Sequence, residues 1–192
     1  MKHIKALFAA GLFLGSISPA ALAERPAEPP KEVLLEERLQ ELEFFVRDWS
    51  CITSSAGQSD KRFYLWKITS ELNGFWLLGR GETLSGEHLQ QDTFGFNTIL
   101  NKFGRTILGN DSTFANFLSN GWEDNRMVWV GTSSDLAAAK TGKHKLVMTR
   151  ISDHAFKTEE FRAVPDTESW EAIASQSCKT ADETVTSSVL SR

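Results

Sequence analysis

Cysteine, histidine, carboxylates and large aromatics are the side chains with which this 192-residue chain could do chemistry. It holds two cysteines, Cys51 in "VRDWSCITSS" and Cys178 in "SQSCKT". Redox pairs usually sit close in sequence, as in C-x-x-C, so this spacing favours a structural disulfide over a redox couple. Among its histidines, His3 lies at the extreme N-terminus and His88 stands alone, while His144 and His154 fall at opposite ends of one expected hairpin. A shared metal would need both within about 2 Å of one ion, so no metal site is expected.

Catalytic constellations are equally sparse. Asp153-His154 is adjacent in sequence, which is the geometry of a turn rather than of a dyad. "GTSSD" lacks the spacing of a nucleophile elbow. Glu159 and Glu160 would point to opposite faces of a strand. "GRGETLSG" has glycines but no helix after them, so it is no phosphate loop. No catalytic residue and no cofactor is assigned from the sequence. An enzyme with its site on loops at a barrel mouth is the third reading of the function.

The aromatics are the unusual feature: 6 Trp and 13 Phe against a single Tyr. Trp66, Trp76, Phe94, Phe96, Trp122 and Trp129 are expected to line an apolar cavity, the alternative being that they fill a core. Glu160 and Arg162 share a strand face and are expected to orient the polar end of a bound molecule.

These residues must be positioned by the elements around them. Residues 1–23 carry Lys2 and Lys5, an apolar run over 6–17 too short to span a bilayer, and Ala21-Leu22-Ala23 as a cleavage site. This is the pattern of a secretory signal peptide cleaved after Ala23, so the mature protein is expected to be exported, to a periplasm or beyond. Cleavage lowers Lys+Arg from 21 to 19 against 25 acidic residues, a net charge of about −6. With no basic cluster, nucleic acid is not an expected partner, and no later segment is apolar enough to cross a membrane. Residues 24–31 form a Pro-rich tether and 181–192 a polar tail, leaving 32–180 as one domain.

"KEVLLEERLQELEFF" repeats Leu35, Leu39 and Leu42 at helical spacing and predicts an amphipathic helix of about three turns. Beyond Phe45 the pattern becomes β. Strands are expected near 47–54, 61–72, 75–84, 88–97, 103–108, 112–118, 126–132, 143–151, 155–163 and 169–178. Asn73-Gly74 suggests a type I′ hairpin, Ser85-Gly86, Asn110-Asp111 and Asn120-Gly121 further turns, and "SSDLAAAKTG" a longer loop. Strand faces are mixed rather than cleanly amphipathic. About ten antiparallel strands with one leading helix point to a closed barrel with a partly polar interior.

Closure of an up-and-down barrel makes the first and last strands neighbours. Cys51 and Cys178 can then meet, with Cα atoms about 5.5 Å apart, in a compartment that permits the bond. By parity, Trp49 shares a face with Cys51, and Trp170 with Cys178.

The order "LEFFVRDWSC", "LNGFWLLGRGE", "DTFGFN", "SNGWEDNRMVWVG" and "VMTRISDHAF" resembles lipocalin-like (calycin) proteins. It resembles more closely the bacterial domain-of-unknown-function family 1579, over about residues 40–178. Asp48 departs from the Gly that usually precedes the Trp in that family. The resemblance implies a ten-stranded lipocalin-like barrel and no particular activity, since fold does not imply function. It also implies that Trp49 closes the barrel base against an Arg, either Arg150 or Arg162. The nitrobindins, a related barrel family, hold haem through a His near the C-terminus. No His follows Cys178, so haem is not expected. The leading functional expectation is an exported barrel that binds a small, apolar molecule, and the alternative is an interaction protein of the cell envelope without a ligand.

Overall fold

The computed structural model of the protein describes residues 31–181. The expected signal peptide, most of the expected tether and nearly all of the expected polar tail lie outside the described residues. Ten antiparallel strands close into one barrel: β1 (Asp48–Ser55), β2 (Lys61–Glu71), β3 (Trp76–Glu82), β4 (His88–Asn97), β5 (Lys102–Gly109), β6 (Thr113–Glu123), β7 (Arg126–Asp135), β8 (Lys140–Ser152), β9 (Ala155–Ala163) and β10 (Trp170–Thr180). Each strand pairs with its sequence neighbours, and β1 pairs with β10 to complete the ring. Closure leaves no unpaired sheet edge.

One helix, α1 (Lys31–Gln40), precedes the barrel and is followed by a single 3₁₀ turn, Glu43–Phe45. The turn drives Phe44 and Phe45 into the near end of the barrel, hereafter the closed end. Phe45 is fully buried, stacked between Phe94 and Trp122 at 5.9 and 5.7 Å. Phe44 packs edge-on to Trp122 and Phe156. Glu41 ties this plug to β6: its carboxylate accepts from the Trp122 backbone N–H at 3.1 Å, and its carbonyl from the Trp122 indole at 2.8 Å. Arg38 caps the same end, with its guanidinium over the rings of Phe96 and Phe103.

Barrel diameter grows with strand number, and eight strands already leave an interior just wide enough for side chains to fill. Ten strands therefore demand larger side chains, which accounts for the Trp and Phe content. In the closed half Trp49, Trp66, Phe94, Trp129 and Phe156 pack ring against ring.

Several expectations are corrected. Asn73-Gly74 is not a two-residue type I′ turn: the β2–β3 loop is four residues long, with Leu72, Asn73 and Gly74 all at positive φ. Asn120-Gly121 lies inside β6, where the register shifts between Ser119 and Trp122. Gly121 has φ 106°, and a Cβ there would lie 2.5 Å from the Glu41 carboxylate, so glycine permits the plug to approach. "SSDLAAAKTG" is mostly strand, with only Leu136–Ala139 forming the turn between β7 and β8.

Cys51 and Cys178 lie directly opposite in the β1–β10 register and are bonded, with Cα atoms 4.1 Å apart. Both are buried beside the aromatic core. The parity argument holds for Trp49 and fails for Trp170. A bulge between Ala172 and Ala174 turns the start of β10 over, so Trp170 meets Lys145, 4.6 Å from its ring, on the outer surface.

Candidate functional site

Alternation decides what faces inward. Phe94 and Phe103 are fully buried, so Asp92, two residues before the first, and Arg105, two after the second, must also point into the barrel. Both are buried, Asp92 completely and Arg105 to 7% exposure. Two charges there are tolerable only as a hydrogen-bonded pair. Arg105 Nε and Nη2 both donate to Asp92 Oδ1, at 3.1 and 2.9 Å. The other oxygen, Oδ2, accepts from the Trp66 indole at 2.9 Å and from the Gln90 amide at 2.9 Å. Asp92 thus receives four hydrogen bonds. The Arg105 guanidinium also stacks over Phe94 and Trp66, 4.8 and 5.2 Å from their ring centres, which are its contacts with the aromatic half.

Strand β3 makes room for this cluster. Its inward positions after Leu77 are Gly79 and Gly81. A Cβ at Gly79 would lie 2.8 Å from Trp66 Nε1 and 3.1 Å from Asp92 Cβ, and one at Gly81 would lie 2.7 Å from the Gln90 side chain. The "GRG" that resembles a phosphate loop is therefore a strand whose bare inner face seats the Trp66, Asp92 and Gln90 side chains.

Beside the cluster stands Tyr64, the only tyrosine in the chain. Burial pushes its phenol pKa well above the usual range. The Asp92 carboxylate adds to that rise, and Arg105, Thr53 and Gln176 oppose it. At neutral pH it is a fixed neutral hydroxyl.

Above the cluster, toward the end away from α1, the barrel is not filled. A cavity of about 110 Å³ remains. Arg105, Gln90 and Ile107 wall it from β4 and β5, Leu146, Thr158 and Glu160 from β8 and β9, and Thr53, Ala174, Ser175 and Gln176 from β1 and β10. His144 stands behind Glu160. A carboxylate only accepts, so His144 Nδ1–H donates to Glu160 Oε1, at 2.9 Å. Gln176 connects the cavity to the seam, its amide lying 2.8 Å from Cys178 Sγ.

The expected ligand-lining residues divide among several places. Glu160 lines this cavity. Trp66, Phe94 and Trp129 lie in the packed core, and Trp66 reaches the polar cluster through its indole N–H. Phe96 and Trp122 belong to the closed end, under α1 and its plug. Trp76 is on the outer surface, 46% exposed, its ring lying across Gly95. Arg162 is on the rim, bonded to Glu171 at 2.9 Å with more than half its side chain exposed. At the barrel base Trp49 donates to the Phe45 carbonyl at 3.0 Å, and its arginine is Arg47, 5.4 Å from the ring. Arg150 instead stacks on Phe44 and Trp122 at 4.1 and 4.7 Å, and Arg162 is at the opposite end of the barrel.

The residues that sequence reasoning missed are Asp92, Arg105, Gln90, Tyr64, Thr158 and Gln176. A signal was present for two of them: a charge at inward parity beside a Phe on each of two adjacent strands. A larger hollow, about 1010 Å³, runs outside the barrel between α1 and the β2–β3 loop, past Leu35, Leu39, Val46, Phe75 and Leu77. It lies open to solvent and holds no buried charge pair. Comparison with protein-family models and with curated proteins finds no match to this chain.

Proposed function

We propose that the chain is an exported, small-molecule-binding barrel of the lipocalin-like kind, its signal peptide removed after Ala23. The observation that carries this reading is the unequal filling of the interior. The half nearest α1 is packed with aromatic rings, while the other half keeps a cavity walled by Arg105, Gln90, Thr158, Glu160 and Gln176. Arg105 and Thr158 are buried there and Gln90, Glu160 and Gln176 half-buried, so the hollow presents hydrogen-bonding groups that suit a small polar guest. The aromatic residues pack against one another, which favours a small, hydrogen-bonding guest over an extended apolar one. The buried disulfide fits an oxidising compartment, and among the described residues no helix is long and apolar enough to cross a membrane. The resemblance to family 1579 agrees with the barrel and leaves the ligand open.

Native mass spectrometry of protein purified from its own host tests this. A bound small molecule, lost on mild activation and reduced by Arg105→Met, is the expected result. A spectrum of the bare polypeptide alone, from several growth conditions, would contradict it.

The second reading is an interaction protein of the cell envelope. It is favoured by one observation: Leu72, Phe75 and Trp76 stand 72%, 48% and 46% exposed beside the open groove along α1. A photo-crosslinking residue at position 75 would capture a partner in cells on this reading and nothing on the first.

A further inference from the structure

We propose that the cavity selects a molecule with a cationic nitrogen at one end and a hydrogen-bond acceptor at the other. Glu160 would receive the nitrogen and Arg105 the acceptor. This rests on the reading of the cavity as the binding site.

Two opposite charges line one small cavity and are not paired with each other. The carboxylate partner of Arg105 is Asp92, and the partner of Glu160 is His144. Each is left with one unused atom. Arg105 spends Nε and Nη2 on Asp92, and among the described residues no acceptor is found for Nη1. Glu160 spends Oε1 on His144, and Oε2 has no donor among the described residues. The ends differ in net charge. Asp92 neutralises Arg105 at close range, so that end offers an N–H without a surplus positive charge to hold an anion. Among the described residues no Lys or Arg is paired with Glu160, whose one partner is the His144 imidazole, so that end is negative wherever His144 is neutral. The other cations nearby are engaged or outside: Arg162 is bonded to Glu171, and Arg62, opposite Thr53 in the register, is exposed to solvent.

The volume limits the guest. A cavity of about 110 Å³ suits a guest of only a few heavy atoms. A two-carbon amino alcohol has four heavy atoms and carries both groups. Thr158, Ser175 and Gln176 supply further polar contacts on the wall, and Ile107 and Leu146 apolar surface for the methylenes.

Three probes of nearly equal size separate the possibilities: ethanolammonium, ethylene glycol and glycolate, a cation, a neutral molecule and an anion sharing one hydroxyl. Each is titrated into the oxidised full chain and followed by amide chemical shifts of Thr158, Glu160, Ser175 and Gln176. Ethanolammonium is expected to half-saturate at a concentration about tenfold or more below that of ethylene glycol, as suits a charge-assisted hydrogen bond, with glycolate weakest. Glu160→Gln, an isosteric change at the cavity mouth, is expected to erase the preference. Equal or stronger response to glycol or glycolate, or a preference that survives Glu160→Gln, would overturn the assignment of charge while leaving the cavity as a binding site. No shift of these amides with any probe would remove the binding-site reading itself. The ranking on the unaltered protein decides the matter even if the variant does not fold.

Discussion

The polar cluster depends on single atoms. Asp92 is held by four hydrogen bonds, and its loss would strand the Arg105 charge in the barrel. Asp92→Ala is expected to cost about 3–5 kcal/mol in urea unfolding. Asp92→Leu/Arg105→Met should cost much less than Asp92→Ala alone, because an apolar pair leaves no buried charge. Equal losses would mean that the cluster contributes no more than packing. Tyr64 gives a second handle. Its folded pKa is raised above the unfolded value of 10.0, so the unfolded state loses its proton first as pH rises. Stability is therefore unaffected by this group below pH 10 and falls above it, by up to about 1.4 kcal/mol per pH unit. Tyr64→Phe should flatten that part of the profile. As the chain has one tyrosine, phenolate absorbance reports the group directly. Titration of the folded protein near pH 10 would contradict the burial argument.

The elements were legible to different depths. Strands β4 and β9 fall at the bounds that residue type and turn signals suggest, 88–97 and 155–163, because each is flanked by clear turns. The end of β6 did not, because Asn120-Gly121 reads as a turn and is a bulge. Trp170 went to the wrong face for the same reason, since one extra residue in β10 reverses every side chain before it. The cavity was harder still. Alternation alone could place Asp92 and Arg105 inside, but their meeting with Thr158, Glu160 and Gln176 depends on registers set across the whole ring. β3 shows how local and distant needs combine. Its Gly79 weakens the strand and is required by Trp66 and Asp92. Gly79→Ala is expected to destabilise by about 1–3 kcal/mol and to shift Trp66 fluorescence as the indole leaves Asp92. An alanine variant as stable as the parent, with unchanged emission, would show that the ring needs no such space.

At the scale of the molecule the barrel has one closure that no hairpin supplies, between β1 and β10, and the disulfide lies on it. The bridge spans a sequence separation of 127 residues. The chain-entropy account assigns such a loop about 5 kcal/mol, an upper figure because native strain lowers it. Cys51→Ser/Cys178→Ser is expected to melt earlier, losing about 2–5 kcal/mol, while keeping its β-sheet circular dichroism. The aromatic core and the plug would still hold the ring. Denatured wild-type protein should show no free thiol. Two free thiols would contradict the bond.

The central claim is that the half of the barrel left open exists to hold a guest. The measurement that tests it most directly is a crystal structure of the protein purified from its own host without refolding. The account expects density for one small molecule in the cavity, bonded to Arg105 and to Glu160. A cavity holding only separate water molecules, unchanged by soaking with ethanolammonium, would contradict it.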